Sequence, residues 1–197
     1  SPVRLDSYEV LDTATDTNAS LGYIKIRSFI GASAFFAEAL RSMRYADVLI
    51  LDLRGQPGGS IDTAKEIGDQ LVSEEVPFVG TLDRNGALSL ESFSSPGSFW
   101  DEPIVVMVDQ RTKSSAEILA AALQDYGALV VGYQTYGKGT RQSLVSLAND
   151  GMSSSGVYLT DAYTIRPNGA SLQGIGVTPH ITINTLTPPP RRESDHR

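Results

Sequence analysis

The sequence predicts an α/β fold built around a largely parallel sheet. Three short runs of almost uninterrupted apolar residues lie at 46–53, 103–108 and 128–131. Such runs are typical of strands covered on both faces. Segments with apolar residues at helical spacing separate them, and this alternation of strand and helix indicates parallel pairing. A chain of 197 residues, 41% of them apolar, is long enough to bury one core of this kind.

The first half of the chain reads strand, helix, strand, helix. Residues 22–29 alternate apolar and polar side chains like a half-buried strand, and 33–44 carry apolar residues at helical spacing. The apolar strand at 46–53 ends in a glycine-rich turn, 55–59. The next segment, 60–72, is predicted to be helical.

The second half repeats the alternation after an interruption. Residues 84–100 are rich in serine and glycine and predict an excursion over the surface. The strand at 103–108 leads to a helix that starts after Ser114 and ends at Gly127, and a strand at 128–131 follows. The apolar side chains of this helix are predicted to lie in the core: Ile118, Leu119, Ala122, Leu123 and Tyr126.

Composition excludes several classes of function. The net charge is −7, and the one basic pair, Arg191-Arg192, lies near the C-terminus. This charge argues against nucleic acid and anionic membrane surfaces as partners. No apolar run approaches the roughly 20 residues of a membrane-spanning helix. The absence of cysteine excludes disulfides, thiol catalysis and cysteine metal sites, and we expect no cofactor and no metal.

A serine and a lysine are the strongest candidates for catalysis. Ser114 stands at the start of a predicted helix, and Lys138 stands between two glycines. A serine hydroxyl is a poor nucleophile until a base takes its proton, and a neutral lysine amine can be that base. Burial favours the neutral amine, and Lys138 lies among small residues next to an apolar strand. The two histidines, His180 and His196, are near the C-terminus and are expected to be structural or exposed.

Each motif also has a simpler interpretation. Ser114 and Glu117 have the spacing of a capping box, so this serine alone is more typical of a helix cap. The segment 132–138 imitates a phosphate-binding loop, but Gly139 stands where serine or threonine would bind magnesium. The sequence therefore does not favour nucleotide binding.

Five segments in one order resemble the C-terminal processing (tail-specific) proteases, which are serine peptidases of the S41 type with a Ser–Lys dyad. The resemblance runs from about residue 22 to 183, and it implies a sheet-and-helix core of the crotonase/Clp-protease type. Any one motif is weak, but five in order are highly specific. The segments are 22–26, 51–59, 114–125, 132–142 and 171–179.

The resemblance implies a catalytic role for five positions. Ser114 would be the nucleophile and Lys138 the general base. Gln142 would orient the lysine if the segment is helical, because residues four apart share one helix face. The backbone N–H groups of Ser115 and Gly58 would form the oxyanion hole, at a helix N-terminus and at a glycine that allows close approach.

Three further positions of the family pattern are expected to support the site rather than react: Glu117, Asp125 and Thr135. The chain also departs from that pattern. Lys113 stands where a small residue is usual, so its charge would either act on the lysine base or point to solvent. Ser115 replaces a common alanine and is a second-choice nucleophile. The interval from Asp125 to Lys138 is one residue shorter than in relatives.

The implied function is that of a serine endopeptidase cleaving proteins near their C-terminal ends through an acyl-enzyme on Ser114. Its expected partners are proteins or peptides with apolar C-terminal tails, and an adaptor or self-association is left open. The expected location is outside the cytoplasm, in a bacterial periplasm or a thylakoid lumen.

Two alternatives belong to other classes of protein. A non-catalytic module that binds apolar ligands or peptides on the same fold would predict a broken dyad, whereas Ser114 and Lys138 are both present. A crotonase-type lyase or hydratase acting on thioesters would need catalytic acids in the cleft.

The predicted organisation is one core domain with short flanks. The protease core is expected at 22–187, followed by a disordered tail at 188–197 that is rich in proline and charge. Members of the resembled family usually carry a PDZ domain before the core. The segment 1–21 is too short for that domain, so we expect either a remnant that flanks an absent PDZ domain or a branch of the family that lacks this domain.

Overall fold

A computed structural model of the chain describes residues 7–12, 19–93, 99–146 and 156–183, with the side chains of 7–12 left undescribed. Within these ranges the chain forms ten strands and three helices, which confirms the predicted α/β class. The predicted tail at 188–197 lies outside the described residues.

Six strands form the main sheet, in the order β1-β2-β3-β6-β7-β10. All neighbours are parallel except β1, which pairs with β2 in antiparallel fashion and so brings part of the segment 1–21 into the sheet. The strands are β1 (Ser7–Asp12), β2 (Ser20–Lys25), β3 (Val48–Asp52), β6 (Ile104–Val108), β7 (Leu129–Gly132) and β10 (Ile181–Thr182).

Three helices pack against one face of this sheet: α1 (Ala32–Ser42), α2 (Ile61–Gly68) and α3 (Ser115–Asp125). The strand residues on that face are fully buried, as Leu51 and Val106 are, whereas Ile50 on the opposite face is only half-buried. The prediction that the apolar strands are covered on both faces is therefore wrong for the described part of the chain. None of the described helices is long and apolar enough to cross a bilayer.

A second, antiparallel sheet is the element that the sequence did not predict. Its order is β5-β4-β9-β8, with β4 (Pro77–Asp83), β5 (Leu88–Ser92), β8 (Thr140–Ser146) and β9 (Gly156–Ile165). In the predicted excursion at 84–100, residues 84–92 instead form the turn and second strand of the β4–β5 hairpin, and β5 is exposed; residues 94–98 lie outside the described part of the chain. Asn85-Gly86 in the turn is a strong hairpin signal that the sequence did offer.

The helix after Ser114 has nearly its predicted bounds, and its predicted core residues are buried except for one. Tyr126 is 38% exposed, and its hydroxyl donates a hydrogen bond to the carbonyl oxygen of Pro77, 2.7 Å away. This tyrosine therefore links α3 to β4 instead of filling the core.

A buried carboxylate ties β2 to β3. Asp52 accepts hydrogen bonds from the Tyr23 hydroxyl (2.7 Å), the Lys25 ammonium (2.8 Å) and the Arg54 guanidinium and main-chain N–H. Burial alone would raise the pKa of Asp52, but these donors outweigh it and hold the pKa well below its usual range. Burial and the same carboxylate raise the pKa of Tyr23 to about 12.

Replacing Asp52 with asparagine is expected to lower the free energy of unfolding at pH 7 by about 2–3 kcal/mol, because Lys25 and Arg54 lose their buried partner. The cost is moderate because Arg54 is partly exposed and solvent screens its charge. The depressed pKa stabilises the fold above the unfolded-state value of about 3.9, and this stabilisation is lost as the pH falls below it. Urea unfolding should therefore show a smaller difference in unfolding free energy between the wild type and Asp52→Asn at pH 3 than at pH 7.

The matched control is Asp62→Asn, which changes an exposed carboxylate in the first turn of α2. It is expected to cost less than about 1 kcal/mol. A deficit in Asp52→Asn that stays constant from pH 7 to pH 3 would contradict the assignment of the low pKa.

Candidate active site

Three loops meet at one edge of the main sheet. They follow β3, β6 and β7, which are neighbouring parallel strands, and comprise residues 53–59, 109–114 and 133–139. The carboxyl ends of parallel strands lie at the same edge, and ligand sites of open α/β sheets form there. The predicted nucleophile, base and oxyanion donors all lie in these loops or at the first position of α3.

Hydrogen bonds join the three loops directly. The Asp109 carboxylate in the second loop accepts the Gly55 N–H of the first loop at 2.9 Å. The Thr112 carbonyl accepts the Tyr136 N–H of the third loop at 3.1 Å. Burial alone would raise the pKa of Asp109, but hydrogen bonds from Gly55 and Arg111 hold it below its ordinary value. The edge is thus a connected frame rather than three independent loops.

Ser114 has a strained backbone. Its φ of 60° and ψ of −129° make it the one non-glycine residue with positive φ in the described part of the chain. Such a conformation costs about 1–3 kcal/mol and persists only where its surroundings enforce it. It turns the chain sharply from the second loop into α3, and a similar strand-to-helix turn presents the nucleophilic serine of α/β-hydrolases.

A single buried carboxylate holds both predicted catalytic residues by their main chains. Oε2 of Glu117 accepts the N–H groups of Ser114 and Lys138, each at 2.9 Å, and Oε1 accepts the Thr135 hydroxyl at 2.5 Å and the Gly137 N–H at 2.6 Å. The main-chain nitrogens of Ser114 and Lys138 therefore both lie 2.9 Å from the same carboxylate oxygen. Glu117 is fully buried.

The third loop is fixed on its other side by the segment 171–177. The Thr135 hydroxyl accepts the Val177 N–H at 2.7 Å, and the Gly139 N–H donates to Oε1 of Gln173 at 3.0 Å. Lys138 lies between these two contacts and is half-buried. The loop that presents the lysine is thus held from two directions.

The predicted oxyanion donors are both next to Ser114. A Cβ at Gly58 would lie 2.8 Å from the Ser114 Cβ, and the φ of Gly58 is 92°, so only glycine suits this position. Ser115 is the first residue of α3, where main-chain N–H groups have no partner inside the helix. The Gly58 N–H, however, donates to Oε1 of the fully buried Gln56 at 3.1 Å, so this donor is occupied.

Gln56 was not predicted, because it has no sequence signal beyond its place in the glycine-rich turn. Ser115 was predicted as a second-choice nucleophile. The Ser115 side chain is fully buried, and its hydroxyl has no hydrogen-bond partner among the described residues. This hydroxyl is out of reach of a substrate, whereas Ser114 is half-buried and accessible.

Two predicted residues take other positions. Gln142 lies on β8 opposite Thr160 and is exposed, so the helical spacing that would have joined it to Lys138 does not exist. The ammonium of Lys113 lies 5.6 Å from the centre of the Tyr136 ring, a cation–π contact. Its charge is thereby engaged at the rim of the site.

Asp125 does not join the site. It ends α3, roughly 16 Å along the helix from Ser114, since each residue adds about 1.5 Å. There it forms an ion pair with Arg166 and accepts hydrogen bonds from Asn168. It supports the turn after β9 rather than the candidate active site.

His180 is exposed, and its Nδ1 accepts the N–H of a β7 residue at 3.0 Å.

Comparison with known families gives one match over most of the chain. The model of peptidase family S41 matches residues 20–183. Carboxyl-terminal-processing peptidase 3 of the Arabidopsis thaliana chloroplast is 34% identical over 171 residues, which are 85% of this chain and 32% of the relative. Carboxy-terminal processing protease CtpB of Bacillus subtilis is 36% identical over 168 residues, which are 83% of this chain and 34% of the relative.

A solved structure has the same fold. The photosystem II D1 C-terminal processing protease matches with a TM-score of 0.77 and 27% sequence identity, over 91% of this chain and 48% of that protein. This chain spans about a third of the length of the curated relatives named above.

Replacing Glu117 with glutamine is expected to loosen the second and third loops. One carboxylate oxygen becomes an amide nitrogen that cannot accept, so one pair of donors loses its partner, at a cost of about 1–3 kcal/mol in unfolding free energy. Amide hydrogen exchange at Ser114, Gly137 and Lys138 measures this, and exchange should accelerate at one pair at least. Glu38→Gln, on the exposed face of α1, is the control. Unchanged exchange at all three amides would contradict the role given to Glu117.

Proposed function

The chain belongs to peptidase family S41, and from this premise we propose that it is a serine endopeptidase acting near the C-terminal ends of proteins. The observation that carries the proposal is the carboxylate of Glu117, which binds the main chains of Ser114 and Lys138 together. The strained backbone of Ser114 supports the same assignment. The names of the relatives supply the substrate class.

In the proposed mechanism, the Ser114 hydroxyl attacks the carbonyl carbon of the scissile bond while the neutral amine of Lys138 accepts its proton. The tetrahedral intermediate collapses when Lys138 returns the proton to the leaving amine, and an ester on Ser114 remains. Lys138 then takes a proton from water, whose oxygen attacks the ester. Collapse of the second intermediate releases the new C-terminal carboxylic acid, and the proton returns to Ser114.

The negative charge on both intermediates needs donors at the start of α3. The Ser115 N–H lies at that N-terminus, where the helix dipole also favours negative charge. The Gly58 N–H becomes a second donor once Oε1 of Gln56 releases it. A donor of this kind contributes about 10²–10³ in rate.

Exposed apolar side chains flank the lysine loop and fit an apolar substrate tail. Tyr136, two residues before Lys138, is 66% exposed, and Ile175 is 55% exposed next to Gly137. Binding a C-terminal tail here would bury both side chains. We assign the activity to a compartment outside the cytoplasm, by analogy with the chloroplastic relative.

The first test is cleavage of a loosely folded protein with an apolar C-terminal tail. Ser114→Ala and Lys138→Met are expected to lower the cleavage rate about a thousandfold or more, because nucleophile and base act as a unit. Ser115→Ala is the matched control. It should keep the rate, and it should raise the unfolding free energy by up to about 1 kcal/mol, because a buried hydroxyl without a partner is removed.

Labelling with a fluorophosphonate, followed by peptide mass mapping, separates the remaining outcomes. Attachment at Ser114 in the wild type, and its loss in Lys138→Met, is the expected result. Cleavage that survives in Ser114→Ala and disappears in Ser115→Ala would refute the assignment of the nucleophile. A wild-type protein that neither cleaves nor reacts would be either the non-catalytic binding module or an enzyme that needs a further domain for activity.

A further inference from the structure

A lysine stands directly before the proposed nucleophile. Lys113 precedes Ser114 in the chain, and its main-chain N–H donates to the Gln56 carbonyl oxygen at 3.1 Å, so its backbone is fixed beside the site. Successive Cα atoms are about 3.8 Å apart, and a lysine ammonium reaches roughly 6 Å from its own Cα. The ammonium of Lys113 therefore lies within about 10 Å of the Ser114 Cα.

An aromatic ring holds this ammonium at the rim of the site. The Lys113 Nζ lies 5.6 Å from the centre of the Tyr136 ring, and the Tyr136 N–H donates to the Thr112 carbonyl oxygen at 3.1 Å. The ring is thereby tied to the residue before Lys113. Tyr136 is largely exposed and Lys113 is half-buried, so solvent reaches the pair. A ring attracts a cation from one side and leaves ammonium N–H groups free to donate elsewhere.

The charge of Lys113 is not balanced by a carboxylate in the described part of the chain. None of the ion pairs found there includes Lys113. The nearby cation Arg111 does have a partner, because the Asp109 carboxylate lies 3.1 Å from its guanidinium. The Tyr136 ring attracts the Lys113 ammonium but does not neutralise it. Since the net charge of the chain is −7, this cation offers an anionic ligand a local attraction that the protein as a whole does not.

The reach of the ammonium limits where a bound carboxylate can lie along a substrate. An extended peptide advances about 3.3–3.6 Å per residue. A carboxylate that contacts Lys113 while a peptide carbonyl contacts Ser114 therefore lies within about four residues of that carbonyl. Two carboxylates meet this condition in a protein that is cut near its end: the terminal α-carboxylate, and an aspartate or glutamate side chain close to the scissile bond.

We propose that Lys113 is a specificity-determining residue that binds a carboxylate of the substrate close to the scissile bond, with Tyr136 holding its ammonium in place. The inference rests on the proposed peptidase function and adds a negatively charged determinant to the apolar tail. The family pattern led us to expect a small residue at this position. We therefore expect the determinant to distinguish this chain from its relatives.

Binding measures the charge preference without requiring cleavage. A fluorescein-labelled peptide with an apolar tail is made with a free terminal carboxylate and with a terminal amide, and its Kd for Ser114→Ala is measured by fluorescence anisotropy. A second pair, amide-ended, carries aspartate or asparagine two residues before the terminus. The carboxylate of one pair or of both is expected to lower the Kd about three- to tenfold, and 0.5 M salt should reduce this factor. The pair that responds identifies the source of the carboxylate.

Two substitutions of Lys113 in the same background separate charge from shape. Lys113→Met should remove the carboxylate preference, because methionine keeps an apolar stem without the charge, and Lys113→Arg should retain it. The matched control is Arg44→Met. Arg44 also lies over a tyrosine ring, 4.4 Å from the centre of Tyr45, but it precedes β3 and so stands at the opposite edge of the main sheet. A preference that survives Lys113→Met, or that Arg44→Met removes equally, would overturn the assignment.

Cleavage separates this inference from the proposed function. With Ser114 intact, the same peptide pairs are expected to differ in kcat/KM by the factor seen in binding, and the difference should lie in KM. Equal Kd and equal kcat/KM within both pairs would overturn the role of Lys113 and leave the peptidase function standing. A preference that Lys113→Met removes, without any cleavage, would keep the binding role and contradict peptidase activity of this chain. Failure to bind any of the peptides would overturn the role of Lys113.

Discussion

The arrangement of the candidate active site depends on one carboxylate that is shared between two loops. Glu117 sits in the first turn of α3 and is buried, so its oxygens need several donors at once. The donors come from Ser114 on one side and from residues 135–138 on the other. Residues 135–138 supply three of these four donors and Ser114 supplies one, so the carboxylate links the two loops. Each loop therefore holds the other in place. The carboxylate that stabilises the strained backbone of Ser114 is the same one that positions Lys138.

This dependence explains which parts of the site could be predicted from the sequence. Ser114, Lys138 and Gly58 stand in motifs whose position after buried strands places them at one sheet edge, and the structure brings their backbones together there. The spacing of Ser114 and Glu117 predicted a capping box, and the carboxylate does accept the Ser114 N–H. Its further bonds to the third loop could not be predicted, because they depend on contacts between residues about 20 positions apart.

The errors have equally local causes. Gln142 was judged by helical spacing, but the chain after Lys138 enters β8, where strand pairing decides which side chains meet. Asp125 shares a helix with Glu117, yet lies at its far end, where it meets Arg166 instead. The second sheet was missed because β5, β8 and β9 are largely exposed, so they lack the apolar runs that marked the main sheet.

The hydrogen bond from the Gly58 N–H to Gln56 determines which contact a substrate must replace in the proposed mechanism. The Gly58 N–H faces a neutral carboxamide oxygen at 3.1 Å, and the same carboxamide reaches the carbonyl of Ile26 with its nitrogen at 3.4 Å. A substrate carbonyl that develops negative charge is a stronger acceptor than a neutral amide, because hydrogen bonds to charged groups are roughly twice as strong. In the proposed mechanism the substrate oxygen replaces Gln56 as the acceptor of the Gly58 N–H. This replacement is therefore least favourable before the bond to Ser114 forms and most favourable in the tetrahedral intermediate. An oxyanion donor occupied in this way contributes selectively to the transition state, which is the condition for it to accelerate the reaction rather than merely to bind substrate.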